Sequence, residues 1–157
     1  MIESLKALLA DWKEVRSITL KFINELSDAD LDKKLPRKKL NTIRLHAYEL
    51  TLGQAGFVDS LTTKNIVFGD EYLNYESWPK QDLIKKMAEL DAKLDKSLET
   101  MDGTETVDFF GNQQNVHQIM STMIGHEWMH IGQIIAFCYA TGIEIPESIV
   151  EHLNLEG

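Results

Sequence analysis

The sequence predicts an all-α protein built as a bundle of four long helices, and three observations carry that prediction. Four segments place apolar residues at three- and four-residue steps, the spacing of a single buried helical face. No segment sustains the strict alternation of a half-buried strand. A chain of 157 residues is long enough for one domain with one core, so residues 1–157 are expected to form a single unit.

The first helix is expected from about Ile2 to Leu26, with Leu5, Leu8, Trp12, Val15, Thr19 and Phe22 on its stripe. Ser27 then stands where its hydroxyl can accept from a free backbone N–H and start a short turn through Leu31. The second helix runs from about Asn41 to Leu61, and Ile43, His46, Leu50, Gly53, Phe57 and Leu61 share its stripe. Residues 62–77 have no clean period and contain Gly69, so they read as a long crossover or loop. Ser77 is placed to cap the third helix, with Pro79 tolerated in its first turn. Its buried side is Leu83, Met87, Leu90, Leu94, Leu98 and Met101, and Gly103 stands where a glycine often ends a helix. Thr104 to Phe110 is a short extended candidate. The fourth helix starts near Asn112 or Asn115 and runs to Ala140, with Gly142 beyond it and Pro146 opening a short polar tail.

The fourth helix is apolar on two faces. One stripe reads Val116, Ile119, Met123, His126, His130, Ile134 and Phe137; another reads Met120, Ile124, Trp128, Ile131 and Ile135. Such a helix is covered on both sides. The bundle covers one, and a second subunit is expected on the other, with the crossover and the tail as rival covers. Trp12, Trp78 and Trp128 read as core or interface anchors.

A formal net charge of −9 argues against nucleic acid as a partner. No stretch approaches the roughly 20 apolar residues that span a bilayer, and Met1 leads straight into an amphipathic pattern rather than a secretory signal. Cys138 is the only cysteine, which excludes an internal disulfide and fits a reducing cytoplasm. Its neighbours Phe137 and Tyr139 mark it as an inert buried thiol.

The chemistry is concentrated in His126-Glu127-Trp128-Met129-His130-Ile131-Gly132-Gln133. Between Asp108 and Glu144 the one charged residue is Glu127. Histidines four apart stand one above the other on a helix, and a buried imidazole needs a hydrogen-bond partner or a metal. His46 lies on the inward stripe of the second helix. Bundle cores build metal sites from facing helices, so His46, His126 and His130 are candidate ligands for one divalent ion. Zinc or nickel would suit the three imidazoles, and iron or manganese would also accept them. The alternative is a buried polar network without metal. Glu127, about 100° round the helix from His126, is a candidate general base or a partner that orients an imidazole, against a simple ion pair with a surface lysine. His117 reads as a helix-boundary residue and His152 as solvated in the tail.

The string also matches H-E-x-x-H, the zincin motif in which Glu127 would be the general base. The extended form requires Gly and His where this chain has Gln133 and Ala136, and no sheet is evident to present a peptide. Glu147 and Glu151 are poor third ligands beside His46. A metallopeptidase is therefore the least favoured reading.

On His46 in the second helix and His126, His130 and Gly132-Gln133 in the fourth, the chain resembles the DinB-like superfamily, also called YfiT-like, of metal-dependent enzymes. The resemblance extends through length and helix order over nearly the whole chain. Many relatives carry Arg after the second of these histidines, where this chain has Ile131. The resemblance implies an up-down-down-up four-helix bundle, frequent homodimers and a divalent metal on the three histidines. Characterised relatives include transferases and isomerases that use low-molecular-weight thiols. The expectation is therefore a cytoplasmic enzyme acting on a small molecule as a thiol S-transferase or hydrolase. The rival is a non-catalytic, metal- or ligand-binding dimeric bundle with a sensing or assembly role.

Overall fold

All four long helical patterns fold as helices in the computed structural model, which describes residues 1–68 and 77–155. The first helix, α1, is Glu3–Glu25, and the turn capped by the Ser27 side chain is α2, Asp28–Leu31. The second long helix, α3, is Ile43–Thr63, capped by the Thr42 side chain; the third, α4, is Lys80–Leu98; the fourth, α5, is Val116–Thr141. Gly69 and the middle of the expected crossover lie outside the described residues.

Several boundaries differ from expectation for identifiable reasons. Pro79 rather than Ser77 occupies the N-cap of α4, and the helix ends at Leu98, before Gly103, which turns the chain with φ +91°. Asn112 belongs to a strand, and Asn115 caps α5 through a reciprocal pair with Gln118, which satisfies two free N–H groups at once. The extended candidate is β1, Thr106–Phe109, paired antiparallel with β2, Asn112–Asn115. Phe110 and Gly111 form the two-residue turn, both with positive φ, as this hairpin class requires. The chain after α3 bridges β1 at Asn65 and Asp108. The polar tail folds as a further helix, α6, Glu147–Leu153, packed on α1, where Ser148 donates to Glu25 and His152 lies 3.0 Å from Glu14.

α1 packs on α4 and α5, and α3 packs on the same two helices. Side-chain contacts give the directions. The Met1 amino group donates to the Glu99 carbonyl and Trp12 to Asp91, so α1 and α4 are antiparallel. Ser4 meets His117 and Thr19 meets Glu127, so α1 and α5 are parallel. His46 meets His130, and Gly53 meets His126, so α3 and α5 are antiparallel. Gln54 meets Asp91 and Asp59 meets Lys93, so α3 and α4 are parallel.

The main core is filled by large side chains that the stripes predicted, among them Leu5, Trp12, Phe22, Leu94, Ile134 and Phe137. The second stripe of α5 is divided. Met120 and Ile131 are buried in the chain's own core, Ile124 and Ile135 pack at its margin, and Trp128 is 41 % exposed. Among the described residues, no helix is long and apolar enough to cross a membrane.

Candidate metal centre

Antiparallel packing of α3 against α5 brings together the three histidines expected to share a site. Nδ1 of His46 faces Nδ1 of His130 at 2.9 Å, and the rings of His126 and His130 have centroids 4.6 Å apart. His46 and His130 are buried, and His126 is half-buried. Burial disfavours imidazolium. It drives His46 down to about 4, with the Arg37 charge adding to the effect. It drives His130 down to about 3, with His126 and His46 adding. His126 is lowered by burial first and by Arg16 second. Neutral imidazoles keep the lone pair that a metal ion requires.

Among the described residues, no group of three or more His, Cys, Asp or Glu side chains is placed to hold a metal ion. The donors nevertheless fit a divalent ion in kind. Nitrogens bonded to a tetrahedral ion at about 2.0–2.1 Å sit roughly 3.3 Å apart, so the 2.9 Å contact would need to open only slightly. Nε2 of His46 is buried without an aligned hydrogen-bond partner. The Leu40 carbonyl lies beside that ring and favours its protonated form. Leu40 itself holds the left-handed backbone, with φ +48°, a conformation that is costly for leucine. A ligating histidine commonly turns its second nitrogen toward a backbone carbonyl in this way.

Glu127 occupies a different cluster. Its carboxylate is 1 % exposed, accepts from the Thr19 hydroxyl at 2.5 Å and lies 3.2 Å from Nη1 of Arg16. Burial pushes the Glu127 carboxyl above the usual carboxylate range, while Arg16 and Thr19 pull it back. The ion-pair partner is thus a buried arginine on α1, not a surface lysine. Arg16 donates through Nη2 to Gln54, and Gln54 and Trp12 both donate to Asp91. Nη1 is close enough to Glu127 for charge pairing but is not aligned for a hydrogen bond. Sequence reasoning did not single out Arg16, Gln54 or Asp91. The available signal was a lone carboxylate in a long apolar helix, which demands a buried cation, and Arg16 stands one turn from Trp12 on the α1 stripe.

The remaining candidates are separate from the cluster. His117 pairs with Ser4 at 2.9 Å. His152 is held against α1 rather than freely solvated, and α6, with Glu147 and Glu151, docks there too. Cys138 is buried, and burial pushes its thiol up to about 11, which suits the inert role expected of it.

A cavity of about 270 Å³ opens beside His126. Phe57, Phe68, Phe109 and Leu52 supply its apolar walls, with Glu49 and Thr122 also lining it.

Residues 11–134 match the family model of the DinB superfamily. No curated protein matches the chain.

Proposed function

The chain belongs to the DinB superfamily, and from that premise we propose a divalent-metal-dependent enzyme acting on a small molecule, as a low-molecular-weight-thiol S-transferase or a hydrolase. The observation that carries the reading is the meeting of His46, His126 and His130 beside an apolar cavity. These three would hold the ion, zinc or nickel before iron or manganese. When bound, such an ion lowers the pKa of a thiol or water and so supplies a nucleophile at neutral pH. The chain's own residues do the rest. Burial keeps the imidazoles neutral, the Leu40 carbonyl lies beside His46, and Phe57, Phe68 and Phe109 give the cavity beside His126 its apolar walls. Glu127 supports α5 from the α1 side through Arg16 and Thr19, which favours a positioning role over that of a base.

The test is elemental analysis of untagged protein, followed by turnover of thiol-reactive electrophiles and esters before and after chelation. A single zinc or nickel ion per chain is expected, lost in both His126→Ala and His130→Ala while the circular-dichroism spectrum stays helical. The apolar stripes, not the metal, hold this bundle together, unlike a zinc finger. Metal-free wild-type protein with unchanged turnover would overturn the reading.

We also propose a homodimer through the outer face of α5, as the non-catalytic assembly reading would require too. Trp128, Met129 and Tyr139 are large apolar residues exposed there, and the helix carries no charge apart from buried Glu127. An uncharged face on a chain of net charge −9 suits a second copy, because it brings no like charges into contact. Sedimentation at micromolar concentration tests it, and a concentration-independent monomer would defeat it.

A further inference from the structure

We propose that the cavity beside His126 binds the aromatic portion of a neutral or cationic small molecule and discriminates against anions. The proposal rests on the metal-centre reading only for what happens to the bound molecule; binding itself stands on the walls of the cavity.

Two α3 glycines shape those walls. A Cβ on Gly53 would meet the His126 ring at 2.9 Å, and one on Gly56 would meet the Phe68 ring at 2.6 Å. Real Cβ atoms do not approach that closely, so the missing side chains let one ring settle at the reactive end and the other at the wall. Phe57 lies between them. It stacks nearly parallel with Phe109 at an interplanar angle of 14° and meets Phe68 edge-on at 79°. Aromatic faces and edges presented together in this way suit a further ring, which gains from offset or edge contact beyond simple burial.

Size and charge narrow the ligand. An apolar cavity of about 150 Å³ accepts benzene, and this one is about 270 Å³, enough for a ring with a short substituent. Aromatic walls offer nothing to an anion. Among the described residues that line the cavity, Glu49 carries the only formal charge and the exposed Thr122 brings a hydroxyl. A hydroxyl or ammonium group on the ligand can meet either, whereas a carboxylate would meet the like charge of half-buried Glu49.

The experiment is an amide NMR titration of the full chain in excess chelator with benzyl alcohol, benzylamine and phenylacetate. Saturable shifts at Leu52, Gly53 and Thr122 are expected for the first two. Phenylacetate should bind at least about fivefold more weakly, the factor that corresponds to roughly 1 kcal/mol of like-charge repulsion. Glu49→Gln should erase that difference. Thr122→Trp, at an exposed helical position, should block all three probes without loss of helicity. Shifts elsewhere only, phenylacetate binding as tight as benzyl alcohol, or unchanged discrimination in Glu49→Gln would each overturn the proposal. Metal titration of the same protein, after the chelator is removed, separates the two ideas. Probe binding without metal binding leaves the cavity and removes the metal centre; metal binding without probe binding does the reverse.

Discussion

Two polar clusters are buried on consecutive residues of α5, and they are chemical opposites. His126 and His130 turn toward α3, where they meet His46 in a group of neutral rings with lone pairs to spare. Glu127 turns toward α1, where Arg16, Thr19, Gln54 and Asp91 form a charged network in which most donors find acceptors. One residue of helical rotation, about 100°, separates the two. A buried ion pair is costly to assemble and more costly to halve, so the Glu127 cluster suits a structural lock. A cluster of neutral rings in which Nδ1 of His46 and Nδ1 of His130 face each other at 2.9 Å suits a guest. The H-E-x-x-H string thus joins two unrelated duties, and the spacing that resembles a zincin does not make Glu127 a neighbour in function.

The largest expected effect lies on the charged side. Arg16→Met would strand the Glu127 carboxylate, and stability in urea should fall by about 3–5 kcal/mol, the usual cost of leaving a buried charge unpaired. Replacing both partners, Arg16→Met with Glu127→Leu, should recover most of that loss. If the single variant unfolds no more readily than wild type, the network is not the lock described and the contrast between the clusters collapses.

Acid should act on the other cluster. The folded-state values of His46 and His130, about 4 and about 3, lie below the 6.5 of an unfolded histidine, so the unfolded chain takes up protons first as pH falls. For metal-free protein this contribution to stability is intact above about pH 6.5. It should drain away as pH drops toward 4 and below. His130→Phe should flatten the acid limb of a melting-temperature profile between pH 6.5 and 4. An identical slope in wild type and variant would mean that His130 is not held neutral by burial.

How much of this was legible beforehand follows from the physics of each part. The stripes of α1, α3 and α5 appear because a buried helical face repeats at 3.6 residues, and the histidines were legible as residues on those stripes. The strand β2 was not, because Asn112-Gln113-Gln114-Asn115 lacks the β-branched and aromatic residues that mark strands. α6 was hidden by its seven residues, too few for a periodic pattern. The charged network was hidden because a sequence stripe records apolarity, whereas Arg16 is buried by an acid 111 positions away. The support for His126 was hidden too, since a Gly53 placed for a ring looks the same as one placed for a close helix contact.

Gly53→Ala sharpens that last point. The added methyl would meet the His126 ring and force it to shift; no atom of the charged cluster is among its nearest contacts. Metal affinity should weaken by about 10–100-fold, the range seen when a ligand loses its support, while urea stability of the metal-free protein changes far less than in Arg16→Met. Isothermal titration with zinc measures the first and denaturation the second. Equal affinity in both proteins would show that His126 reaches the ion without the room Gly53 provides.

The smallest effect concerns the third face of α5, which belongs to neither cluster. Gly132 is exposed, and a Cβ there would meet nothing within 4 Å among the described residues. Glycine inside a helix costs about 0.8–1.0 kcal/mol relative to alanine, so Gly132→Ala should stabilise a monomer by roughly that amount. If instead a second copy packs its own α5 closely against this one, beside Met129 and Tyr139, the same methyl would hold the helices apart and the dimer would dissociate at higher concentration. Melting temperature and sedimentation on the same variant read the two effects separately. A gain in stability with no change in association would leave this face open to solvent and remove the case for a dimer through α5; a weaker dimer would give the glycine, which no contact among the described residues requires, its physical reason.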